Sequence, residues 1–166
     1  MKTGARRQAR ELALKVLYSL YDQEDKDLTA VLADFWQEFR FQEDSLGEVA
    51  SEENAPPALP SAKVRAFAEQ LVKGVYEYVE PIDHIISRHA TNWPLDRMDR
   101  VDLSLLRLAV YEICYESEVP AQVAINEAIE ISKRYGSQHS PGFINGVLDS
   151  VHLTCQQNPT ATCDRS

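Results

Sequence analysis

At 166 residues, with 44% hydrophobic and 26% charged side chains, the chain has the size and composition of one folded domain, or of two small helical halves sharing a core. A chain this long folds without needing a metal or a disulfide. No apolar run approaches the ~20 residues that cross a bilayer, and the start, MKTGARRQARELALKVL, has no uninterrupted apolar stretch of the secretory kind. The net charge of −9 argues against a uniformly basic nucleic-acid binder, yet Met1 to Lys15 hold five basic side chains and one acid, leaving 12 basic and 25 acidic residues for the rest.

Nearly every segment has a helical period. A first helix is expected from Ala5 to Asp22, with Leu12, Val16 and Leu20 one turn apart and Ala13, Leu17 and Tyr21 widening the stripe. In a second, Leu28, Val31, Leu32, Phe35, Trp36 and Phe39 keep one face, and Asp27 is placed to cap it. Residues 46–60, acidic and rich in proline, read as a surface linker.

Ser61 is placed to cap a third helix in which Val64, Phe67, Ala68, Leu71, Val75 and Tyr78 form one face. Pro81 suits the first turn of a short fourth with Ile82, Ile85, Ile86 and His89. Asn92-Trp93-Pro94 is a loop. The fifth helix, Arg97 to Tyr115, is apolar over more than half its circumference, which places it at the centre of a bundle. A sixth starts at Pro120 and ends before Gly136, a natural position for a left-handed C-terminal residue. Ser140 as cap and Pro141 as first helical residue open a seventh, in which Ile144, Val147, Leu148 and Val151 face inward. The expectation is an all-α fold of about seven helices, a domain over residues 1–153 and a flexible tail over 154–166.

Catalytic parts are scarce. The four histidines are scattered, and there is no HExxH, glycine-rich phosphate loop, GxSxG or CxxC. Asp96, Asp99 and Asp102 recur every three residues, but Arg97, Arg100 and Arg107 are interleaved, so ion pairing and dipole complementation at a helix start explain them better than a metal does. Cys114 lies in an apolar helix and reads as a buried thiol, while Cys155 and Cys163 fall near the polar tail. The expectation is therefore a cytoplasmic protein with no catalytic centre, metal, cofactor or small-molecule substrate.

The basic head carries more information. Arg6 and Arg10 are one turn apart and fall in the sector of Leu17 and Tyr21. Arginines share such a stripe if the helix start overhangs the bundle and presents them to a phosphate-bearing partner. The alternative is pairing with the acidic body of the same chain. A second candidate surface is KRYGSQHSPGF, where Lys133 and Arg134 end one helix and backbone amides open the next. Phe143 there either packs inward or offers a ring for a base to stack on. It sits one position before the inward stripe, which favours a partly exposed ring.

Four blocks, ARRQARELALKVLYSLY, LDRMDRVDLSLLRLAVYEI, VPAQVAINEAIEISKRYG and SPGFINGVLDSV, closely resemble the NusB family of bacterial transcription antitermination factors. The resemblance covers Ala5 to Tyr21 and most of Val64 to Val151. It implies two packed helical subdomains that bind the single-stranded boxA element of ribosomal RNA leader transcripts together with NusE, a small-subunit ribosomal protein, in a complex with RNA polymerase. It further implies RNA-binding roles for Lys2, Arg6, Arg7, Arg10 and Phe143, and a place near RNA for Asp102. His139 departs from the polar or acidic residue expected in its loop. Two other readings stay open: an interaction module that binds only protein, and a helper domain like that of ribosomal RNA cytosine methyltransferases.

Overall fold

The structure is a computed structural model and describes residues 3–23, 27–38 and 60–158. Among these residues there are seven α-helices and no strand: α1 (Thr3–Leu20), α2 (Leu28–Glu38), α3 (Ala62–Glu77), α4 (Val79–His89), α5 (Arg100–Tyr115), α6 (Ala121–Tyr135) and α7 (Ser140–Gln157), with a single 3₁₀ turn at Leu95–Arg97. Lys2, Phe39 and residues 46–59 of the linker lie outside the described residues.

Burial follows the expected stripes. Leu12, Ala13, Val16, Leu17 and Leu20 of α1 are buried, as are Ile144, Val147, Leu148 and Val151 of α7. α5 is the hub. Leu103, Leu105, Leu106, Leu108, Ala109 and Val110 bury most of its circumference, and it touches α1, α3, α4, α6 and α7. α1 packs on α3 in one half; α4, α6 and α7 pack around α5 in the other. A small satellite core, Ala9, Leu12, Trp36, Val64 and Ala68, joins α2 to α1 and α3. α3 approaches α5 so closely that a Cβ on Gly74 would lie 2.1 Å from the Tyr111 ring.

The helix ends show which local signals hold. Asp27 Oδ1 accepts from the Thr29 amide at 3.0 Å, and Ser61 Oγ from Val64 at 3.3 Å, as expected of caps. α5 starts at Arg100 rather than Arg97, because Asp99 Oδ1 accepts the Val101 amide at 2.9 Å and takes the cap.

Three expectations are corrected. Gly136 ends α6 at φ −91°, so it is not left-handed; glycine is needed because a Cβ would lie 2.5 Å from Ser140 Oγ. Ser140 does not cap α7 but is its first helical residue, buried, with its hydroxyl turned to accept the Ser137 amide at 2.9 Å. α7 continues to Gln157, so residues 154–157 are helical rather than tail, with Cys155 packed against the core. Residues 159–166 lie outside the described residues.

Candidate nucleic-acid interface

The arginines at the start of α1 meet different fates. Arg10 is 3% exposed, and its Nε and Nη2 each donate to Glu112 of α5 at 2.8 Å. It is therefore not presented to a partner, which corrects the overhang expected for it. The stripe it shares with Leu17 stays covered because Glu112, itself buried, neutralises it from across the core. Arg7 donates in the same forked way to Glu127 of α6, at 2.8 and 3.0 Å. These bonds use Nε and Nη2, and the side chain remains 41% exposed, so the guanidinium is held in a fixed plane with Nη1 left to donate. Glu127 also raises the Arg7 pKa, chiefly through these hydrogen bonds. Arg6 has no carboxylate partner among the described residues. Its guanidinium stands 5.8 Å from the centre of the Phe67 ring, with that of Arg10 at 5.7 Å.

α1 continues as one edge of a mixed basic and aromatic strip. Glu11 accepts from Arg134 at 3.3 and 3.4 Å, and the Lys15 ammonium stands 6.0 Å from the Tyr135 ring. Tyr18, largely exposed, lies 6.0 Å from the Arg100 guanidinium, which also faces Tyr21 at 4.7 Å and binds Asp22. Residues 7, 11, 15 and 18 of α1 thus follow a single helical stripe against the end of α6 and the start of α5, about 17 Å long at 1.5 Å per residue, which Asp22 extends just past the helix end. The two surfaces expected separately, the basic head and the Lys133-Arg134 turn, are neighbours.

Beyond the α6–α7 turn lies a concavity of about 470 Å³ lined by Trp93, Arg97, Met98, Asp99, Asp102, Ser137, His139 and Phe143. Phe143 is half-buried and meets Trp93 edge to face, with ring centres 6.1 Å apart at 68°. Trp93 is 53% exposed. Asp102 is buried in this wall, and its Oδ1 has no hydrogen-bond partner among the described residues. Burial pushes its carboxyl pKa up, the Ser140 hydroxyl pulls it back, and the charge of Asp99 adds to the rise.

Four residues of this surface, Lys15, Tyr18, Trp93 and Arg100, are not among those expected from sequence to form a site. Tyr18 carries a usable signal: it is an aromatic set off the Leu12–Val16–Leu20 stripe. Trp93, between an asparagine and a proline, reads only as part of a loop.

Residues 7–153 match the model of the NusB family. A curated relative from Syntrophotalea carbinolica, named as a transcription antitermination protein, is 48% identical over 94% of this chain and 97% of its own length. Among solved structures, a NusB of T. maritima superposes with a TM-score of 0.72 at 34% identity, covering 92% of this chain and 93% of that one. A further structure, of antitermination factors NusB and NusE in complex with dsRNA, has a TM-score of 0.69 at 22% identity, covering 92% and 99%.

Proposed function

Because the chain belongs to the NusB family, we propose that it is a transcription antitermination factor. It binds the boxA element of ribosomal RNA leader transcripts as a single strand, together with NusE, and in that complex keeps RNA polymerase transcribing ribosomal RNA. It works in the cytoplasm without a catalytic step or a cofactor. The observation that supports this most is the exposed strip from Arg7 to Arg100, followed by the Trp93–Phe143 concavity. Fixed guanidinium groups suit phosphates, and exposed rings suit unstacked bases.

Arg6 and Arg7, with Lys2 ahead of them, contact the backbone, while Phe143 stacks on a base near Asp102. Arg10 acts at one remove, by fixing α1 against α5. The antitermination name carried by the curated relatives favours this reading over that of a methyltransferase helper domain.

The test is affinity for a boxA single strand against a scrambled strand, with and without NusE, across a salt series. Each phosphate that an Arg6→Ala/Arg7→Ala variant no longer neutralises lowers the magnitude of the log–log salt slope by about 0.7. Phe143→Ala weakens RNA binding by about 1–3 kcal/mol. No measurable affinity for either strand with NusE present would leave only a module that binds protein, equal affinity for both would remove boxA specificity, and an unchanged slope in the double variant would take Arg6 and Arg7 out of the RNA site.

A further inference from the structure

Two cysteines that lie far apart in sequence meet at one end of the bundle. Cys114 is the penultimate residue of α5 and Cys155 the third from last of α7, and their sulfurs are 3.8 Å apart. A disulfide needs about 2.05 Å. The remaining distance must be closed by rotation of two short side chains and a small movement of backbone. Both residues sit in the last turn of their helix, where fraying makes such movement easiest. Their exposures differ: Cys114 is 8% exposed, whereas Cys155 is open enough to meet a solute.

We propose that Cys114 and Cys155 are a modification site, forming a reversible intramolecular disulfide that staples the end of α7 to α5 under peroxide. The Cys155 sulfur attacks the peroxide; an S–O bond forms, the O–O bond breaks, and the departing hydroxide takes a proton to leave as water. The Cys114 sulfur then attacks the sulfur of the Cys155 sulfenic acid; the S–S bond forms, the S–O bond breaks, and a second water leaves. Overall two thiols lose two electrons and two protons, and one peroxide becomes two waters. The bridge closes a loop across 41 residues of sequence separation, a span over which a cross-link restricts the unfolded chain strongly.

The experiment uses the full chain carrying Cys163→Ser, treated with a slight excess of hydrogen peroxide. The expected result is loss of both titratable thiols and a linked peptide pair containing Cys114 and Cys155, two hydrogens lighter than the reduced peptides. The melting temperature rises by several degrees, and dithiothreitol reverses the change. In Cys155→Ser/Cys163→Ser the Cys114 thiol survives and no rise occurs. Progress of Cys155 to sulfinic acid without joining Cys114 would overturn the proposal. So would links between chains instead of within one, or preferential pairing of Cys155 with Cys163 in the unaltered chain.

Discussion

Arg10 and Glu112 place an ion pair inside an apolar bundle, with side chains 4% and 2% exposed. Removing one partner strands the other charge out of water, so Arg10→Ala is expected to destabilise the fold by about 3–5 kcal/mol in urea unfolding. Replacing both, as Arg10→Met with Glu112→Leu, should recover most of that loss, because an apolar pair fills the space without desolvating charge. Arg7 with Glu127 is the intermediate case: Arg7 is 41% exposed while Glu127 is buried, so water reaches the carboxylate once the guanidinium is gone, and Arg7→Ala should cost about 1–2 kcal/mol. A loss this small at Arg10 would contradict the burial argument.

Asp102 tests the opposite kind of buried charge, one without a cation. Its pKa is higher in the folded protein than in the unfolded chain, so the fold favours the protonated form. That contribution is fully present below the unfolded value and is lost as pH rises through the folded value, from about pH 4 upward. Asp102→Asn removes the titration. Relative to this variant, the parent protein should lose stability as pH rises through that window, measured by paired urea titrations. A pH-independent difference would mean that the carboxylate is as comfortable inside as out.

At the scale of the helices, two glycines should respond with opposite signs. Alanine is usually the better residue inside a helix, by about 0.5–1 kcal/mol. At Gly146, where an added methyl meets nothing within 4 Å, Gly146→Ala should raise stability by about that amount. At Gly74 the methyl would collide with Tyr111, forcing α3 and α5 apart, and Gly74→Ala should instead cost about 1–3 kcal/mol. Thermal melts of the two variants provide the check, and equal signs would refute the close approach.

The same scale explains what is legible in the sequence. Helix positions, the Asp27 and Ser61 caps and the central place of α5 depend on residues within a few turns of one another, so periodicity reveals them. The fate of the arginines does not depend on neighbours. Glu112 lies 102 residues from Arg10 and Glu127 lies 120 from Arg7, and no wheel drawn on α1 contains them. Ser140 misleads for a similar reason, since its hydroxyl serves the preceding loop rather than its own helix. Phe143 reads as partly exposed from its place beside the inward stripe, and its half-burial against Trp93 agrees.

Across the whole molecule, stability should be unevenly distributed. α2 is held by Leu32 and Trp36 with support from the partly buried Leu28, Val31 and Phe35, whereas α5 is enclosed by five helices. Local opening follows buried contact, so amide hydrogens of α2 should exchange by small openings while those of α5 wait for global unfolding. Native-state exchange at increasing denaturant distinguishes these classes. If α2 and α5 amides share one opening energy, the satellite core is as firm as the main one.

The Arg10–Glu112 pair also has a consequence for synthesis. The ribosome delivers α1 first, yet its acid partner emerges 102 residues later. At about 5–20 residues per second, Arg10 waits roughly 5–20 s for that partner, whereas Leu12 meets Trp36 of α2 and Val64 of α3 sooner. During that interval the face of α1 that will be buried carries an unpaired cation, and arrival of Glu112 on α5 is what allows that face to close.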